Sequence, residues 1–306
     1  MQTILGANGV IAQELSRALA PRTPRIRQVS RHPARVNATD ELFPADLLDA
    51  KATSDAVAGS EVAYLVAGLK YDANVWQAQW PQVMRNVIDA CKRHGTRLVF
   101  FDNVYAYGQV DGAMTEETPF NPASRKGEVR ARIATLLLDE MRGGNLQAMI
   151  VRAADFYGPG AVQSIPHATV FERLRAGKTP QWIGNPAAVH TFTFTPDTGP
   201  AVALLGNSPD AYGQTWHLPT RAEPMTGAEF VRLACAEAGR PFKLQVAPRW
   251  MLRLMGWFVP VLRENDEMMY QFERDYRFDS SKIAAAYGLH ATPYVDGIAR
   301  TLGTAT

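Results

Sequence analysis

The chain has 306 residues, 46% of them hydrophobic and 20% charged, with 23 glycines and 20 prolines. That balance supports one or two packed domains with a sizeable core and excludes disordered, collagen-like and coiled-coil chains. Lys and Arg total 32 against 30 Asp and Glu, and a net charge of +2 gives no global attraction to nucleic acid, which is not expected as a partner. In chain order, short apolar runs predict strands at Thr3–Leu5, Ile26–Val29, Val62–Ala67, Leu98–Phe101 and Met149–Arg152. Between them, Val10–Leu19 places Ile11, Leu15, Ala18 and Leu19 on one helical face, and Asn74–His94 does the same with Val75, Val83, Val87, Ile88 and Cys91. A third helix is predicted from about Ser124 to Met141. This alternation is the signature of an α/β fold with a doubly wound parallel sheet.

After Arg152 the rhythm changes at Gly158-Pro159-Gly160. Residues 1–160 are expected to form a dinucleotide-binding domain, and residues 161–306 mostly a smaller substrate-binding lobe, with a segment near 187–218 returning to the first sheet. The apolar stretch Trp250–Leu262 holds Arg253 and Pro260 and falls short of the ~20 residues a membrane span needs. It reads as an amphipathic helix under the substrate lobe, the alternative being a membrane-surface anchor, and no membrane partner is expected. Cys91 and Cys235 lack a second Cys or a His at metal-ligand spacing, which predicts buried thiols and no metal site. Met1 to Gly6 contains neither a charged nor an apolar leader, so a cytoplasmic location is expected.

The strongest local signal is Gly6-Ala7-Asn8-Gly9-Val10-Ile11-Ala12, a glycine turn that follows a strand and opens an amphipathic helix. Glycines let the backbone approach a pyrophosphate, and the helix start supplies free N–H groups and a favourable dipole. Gly6, Asn8, Gly9, Val10 and Ile11 are therefore candidate cofactor-binding residues. An unphosphorylated ribose is usually held by an acid after the second strand, yet Leu15 to Thr39 contains no Asp or Glu. The same window carries Arg17, Arg22, Arg25, Arg27, Arg31 and Arg35, with Arg31 just past the strand end. A guanidinium suits a phosphate dianion, so NADP(H) is expected rather than NAD(H).

Later segments extend the pattern. Phe100-Phe101-Asp102-Asn103-Val104-Tyr105-Ala106-Tyr107-Gly108, Asn86, Val151-Arg152, Asp155-Phe156-Tyr157-Gly158-Pro159-Gly160 and Asp279-Ser280-Ser281-Lys282 occur in the order seen in one group of proteins. On these residues the chain resembles the short-chain dehydrogenase/reductase superfamily, in particular atypical members of its extended, epimerase/dehydratase-like branch. The resemblance implies a Rossmann fold and a homodimer paired through the helices at Asn74–His94 and Ser124–Met141. It also sets Asp46, Val66, Ala67, Gly68, Lys126 and Arg152 beside the dinucleotide, and Asn103 at the position of a catalytic Ser or Thr.

The catalytic Tyr-x-x-x-Lys of that branch is absent. Helix length places Lys126 at the Tyr position and Arg130 at the Lys position, and no Tyr occurs between Tyr107 and Tyr157. Arg130 suits ribose hydroxyls but cannot relay a proton; Lys126 reads either as an acid or as a structural or ribose-binding residue, and Tyr71, Tyr105, Tyr107 and Tyr157 read either as substitute acids or as packing residues. Tyr71, Tyr105, Tyr157 and His190 are the candidate substrate contacts; His190 stands where an Arg often holds a diphosphate, and reads equally as a packed polar residue. The implied activity is NADP(H)-dependent oxidoreductase or epimerase-like chemistry on a small carbonyl or sugar-like substrate. The rival is a catalytically silent dinucleotide sensor.

Overall fold

A computed structural model describes residues 1–247, 264 and 266–304. They form two compact units: Met1–Ala106, Arg125–Ala153 and Thr198–Leu218 in the first, and Tyr107–Ser124, Ala154–Asp197 and the described part of Pro219–Thr306 in the second.

The first unit is built on a seven-stranded parallel sheet. Its strands are β1 (Gln2–Leu5), β2 (Ile26–Ser30), β3 (Glu41–Pro44), β4 (Val62–Leu65), β5 (Arg97–Asp102), β7 (Ala148–Arg152) and β11 (Thr215–His217), ordered β11-β7-β5-β4-β1-β2-β3. Every residue of β1, β4 and β7 is buried, as expected of parallel strands covered on both faces. Helix α1 spans Val10–Leu19 as its periodicity predicts, and α3 (Ala73–His94) and α4 (Arg125–Arg142) lie within a residue of the predicted spans. Asp72 caps α3 by accepting from the N–H groups of Asn74 and Val75, and Gly95 ends it in the left-handed conformation. The apolar faces of α3 and α4 are spent inside the unit, and exposed positions such as Gln77, Arg85, Asp89 and Arg132 are polar.

Two expectations shift. The strand predicted to run to Ala67 ends at Leu65, because the chain turns there to pass under Gly6. Strand β3 and helix α2 (Ala50–Val57) carry no strong apolar period and were not predicted; Asp49 caps α2 by accepting from the Ala52 N–H.

The second unit holds three short parallel ladders: β6 (Ala113–Met114) with β13 (Arg277–Phe278), β8 (Asp155–Tyr157) with β10 (Phe192–Phe194), and β9 (Gln181–Ile183) with β12 (Gln245–Ala247). Its core is aromatic, gathering Tyr157, Phe171, Trp182, Phe192, Phe194, Phe230, Phe272 and Tyr294. The expected helix at Trp250–Leu262 lies outside the described residues. Among those described, no helix is long and apolar enough to cross a membrane.

Candidate cofactor and active site

The glycine turn is shaped by contacts only glycine permits. Gly6 has φ +104°, and a Cβ there would stand 2.3 Å from the Ala67 Cα. The Gly6 and Ala7 N–H groups both donate to the Val29 carbonyl at 2.9 Å, which pins the turn between β1 and β2. Gly9 then opens α1 with no side-chain cap and no acid in the first turn, and nothing lies within 4 Å of where its Cβ would stand. Free donors at a positive helix end facing open space are what an anionic group requires.

Asn8 braces this turn in the left-handed region, φ +83°, where Asn is tolerated better than most residues. Its side-chain amide donates to the His32 carbonyl at 2.7 Å, and its Oδ1 accepts from the Ala34 N–H at 2.9 Å. The first turn and the loop after β2 are thereby tied together. Asp46 sits on the exposed loop after β3, its carboxylate accepting from the Leu48 N–H, and Asn86 of α3 anchors that loop by donating to the Leu47 carbonyl at 2.8 Å.

The arginine-rich stretch separates into distinct tasks. Arg27 is buried, pairs with Glu41 at 2.8 Å and donates to the carbonyls of Ala56 and Ala58; Arg25 joins Glu41 at 2.9 Å. Arg35 donates to the carbonyls of Ala38 and Asp40, and Arg17 pairs with Glu14. Arg31, next to the Asn8-braced loop, is exposed and has no hydrogen bond or ion pair among the described residues. The nearest downstream acid, Asp40, is turned inward. Burial opposes its charge, but the N–H groups of Asn37 and Val36 and the amides of Gln28 and Asn37 hold its carboxyl below the usual carboxylate range.

At the carboxyl ends of β5 and β7 the structure assembles a buried charge cluster that the sequence alone did not reveal. Asp102, its side chain fully shielded, accepts from Arg130 Nη1 and from Arg152 Nε, each at 3.3 Å. The Arg130 guanidinium lies 4.7 Å from the ring of Trp76 and 4.3 Å from that of Trp80, both on α3. Burial lowers the basicity of this guanidinium and Asp102 opposes that effect. Arg130 thus has partners other than the ribose hydroxyls expected for it, and Arg152, also expected beside the dinucleotide, is buried on the same carboxylate. Lys126, one helical turn earlier, is wholly buried, with its ammonium 4.5 Å from the centroid of the Tyr71 ring. Tyr71 is half-buried on the loop that continues past Val66, Ala67 and Gly68, and it meets Trp76 edge-on.

The remaining candidates fall into different settings. Asn103 folds an Asx turn by accepting from the Tyr105 N–H at 3.0 Å, and the half-buried Tyr105 stacks on Trp76. Tyr107, expected as a proton donor, and Tyr157, expected as a substrate contact, are each 1% exposed in the second unit. Tyr107 lies against Phe120; Tyr157 lies among Phe192, Phe194, Phe230 and Tyr294, where burial pushes its phenol well above the usual value. His190 is buried in the second unit. Its imidazole stacks on Phe272 and Tyr276 and meets the Asp155 carboxylate at 3.0 Å, a neighbour that repels rather than attracts a diphosphate.

Residues 3–217 match the model of the NAD dependent epimerase/dehydratase family. An uncharacterized protein of Sinorhizobium fredii, y4nL, is 27% identical over 217 residues, 68% of this chain and 60% of that protein, so the match spans less than two thirds of the curated relative's length. Among solved structures, a double mutant of the dTDP-glucose 4,6-dehydratase DesIV from Streptomyces venezuelae, with NAD and DAU bound, aligns with a TM-score of 0.82 at 19% identity, covering 99% of this chain and 96% of that one. The UDP-glucose 4-epimerase of Thermus thermophilus, in complex with NAD, gives 0.78 at 19% identity over 99% and 98% of the two chains.

Proposed function

Because the chain belongs to the NAD dependent epimerase/dehydratase family, we propose that its first unit binds a nicotinamide dinucleotide and serves oxidoreductase or epimerase-like chemistry on a small carbonyl or sugar-like substrate. The observation that carries this reading is the turn itself: Gly6 pressed on Ala67, open space at Gly9, and the uncapped start of α1. Gly6, Gly9, Val10 and Ile11 would hold the pyrophosphate, with Asn8 as the brace, and Val66, Ala67, Gly68 and Asp46 beside it on the loops after β4 and β3. The dinucleotide, when bound, supplies or accepts the hydride. Asn103, near the carboxyl end of β5 where ligands of such sheets bind, is the polar group assigned to the reacting substrate, and Lys126, wholly buried against the Tyr71 ring, is assigned a supporting role.

The preferred form in this reading is NADP(H). Its support is the exposed, unengaged Arg31 next to the braced loop and the inward-turned Asp40. The two solved structures named above carry NAD, so the choice is tested directly: calorimetry with NADPH and NADH, followed by dinucleotide oxidation with a panel of aldehydes, ketones and nucleotide sugars. Tighter binding of NADPH with turnover supports the reading. Retained binding with no turnover favours the sensor, and no binding of either dinucleotide sinks both. The proposal includes a cytoplasmic homodimer paired through α3 and α4; light scattering that finds a monomer at high micromolar concentration contradicts that part.

A further inference from the structure

Reducing a carbonyl requires a proton at its oxygen as well as a hydride at its carbon, and an acid for that task must combine a titratable O–H or N–H with access to the site. Two of the four candidate tyrosines fail on access, since Tyr107 and Tyr157 are each 1% exposed. Tyr71 and Tyr105 remain half-buried on the loops that leave the carboxyl ends of β4 and β5. Of the two, Tyr71 carries the Lys126 ammonium 4.5 Å from its ring centroid; Tyr105 stacks on Trp76.

We propose, on the dinucleotide-binding reading above, that Tyr71 is the proton donor of the reaction and that Lys126 is the positioning residue that holds a positive charge on its ring. The pair is assembled in space from two elements, the β4 loop and the first turn of α4, and has no single motif in the sequence. A cation on the face of a phenol favours the phenolate, whose negative charge spreads into the ring, and so makes the proton easier to release. The proton leaves Tyr71 Oη for the substrate's carbonyl oxygen, whose electron pair is freed as its carbon takes the hydride of a reduced nicotinamide dinucleotide; water then restores the phenol. Other charged groups bear on the same ring. Arg130 of α4 interacts electrostatically with Tyr71 and Tyr105, while Asp72, which interacts with Lys70 and Lys126, follows Tyr71 directly and caps α3. The edge of the ring meets Trp76.

The test combines a titration with kinetics on the full chain carrying bound NADP⁺. Ring-carbon NMR of labelled tyrosine, with Tyr71→Phe identifying the signal, follows the phenol through its titration. Lys126→Met is expected to move the Tyr71 midpoint upward by about one pH unit or more, while Lys126→Arg, which keeps the cation, leaves it near the parent value. Tyr71→Phe is expected to slow carbonyl reduction by about a hundredfold or more. Its NADPH affinity should stay within about threefold of the parent. A midpoint that ignores Lys126→Met, a Tyr71→Phe chain that turns over like the parent, or a parent that binds NADPH but reduces no carbonyl overturns the assignment. Failure of the underlying reading is visible separately, as a parent that binds no dinucleotide at all.

Discussion

Asp102 accepts from Arg130 at 3.3 Å with its own side chain fully shielded and that of Arg130 8% exposed, and Arg152 sits on its other oxygen. One carboxylate therefore neutralises part of two buried guanidinium charges, and the Trp76 and Trp80 faces carry the rest of the burden for Arg130. Asp102→Asn should destabilise the chain by about 3–5 kcal/mol, because it leaves buried cations uncompensated. Arg130→Met should cost less than that, since it removes a charge together with its partner's need. Urea denaturation compares the two; equal or reversed costs would show that Asp102 is not the organising charge.

Gly6→Ala should destabilise the chain by about 2–4 kcal/mol, combining positive-φ strain with overlap against Ala67. Gly95→Ala, also at positive φ but with open space around it, should cost about 1–2 kcal/mol. Calorimetric melting of both variants decides whether close approach, and not only conformation, fixes Gly6.

Arg31→Ala should weaken NADPH binding by about 1.5 kcal/mol, roughly tenfold, and leave NADH binding within error. Losses of equal size for both dinucleotides in calorimetry would remove Arg31 from the phosphate.

Asp40 predicts an acid limb of stability. Its carboxyl is held below the usual range in the fold, so the ionised form is favoured by folding, the stabilisation is complete above the ordinary carboxylate value, and it is lost as pH falls through the lower folded value. Asp40→Asn should therefore cost about 1–3 kcal/mol at neutral pH and flatten the loss of stability on acidification. Denaturation at pH 7 and in mild acid reads the difference; parallel profiles for parent and variant would exclude the carboxylate.

The sequence made the framework of the first unit legible because its signals are local. Val10–Leu19 has a clean helical period, and β1, β4 and β7 are continuous apolar runs. Strand β3 escaped notice because Glu41–Pro44 alternates half-buried and exposed residues at the sheet's edge and ends in proline. Helix α2 escaped because its buried positions include Thr53 and Ser54 rather than a bulky apolar stripe. The site was legible by halves. Gly6 and Gly9 announce themselves by spacing, whereas Asp102 is joined to Arg130 and Arg152 only after the chain has passed through β6 and α4, and no spacing rule finds such a triad. Six arginines in one window likewise look alike until Glu41 and four backbone carbonyls claim Arg25, Arg27 and Arg35.

The sheet of the first unit is completed by β11, which arrives only at Thr215–His217 and pairs with β7, more than a whole second-unit segment after β7 has been made. During synthesis, β7 therefore emerges with one side of its hydrogen-bonding ladder vacant, and it stays so until the ribosome has delivered the residues that close it. A chain cut near residue 160 would keep that vacancy permanently, presenting the buried, apolar Ala148–Arg152 run as a bare edge open to pairing with another copy. Such a fragment is expected to aggregate, while one that reaches Leu218 includes the closing strand; the practical minimum for expressing the first unit alone is set by a three-residue strand rather than by the glycine turn that defines its chemistry.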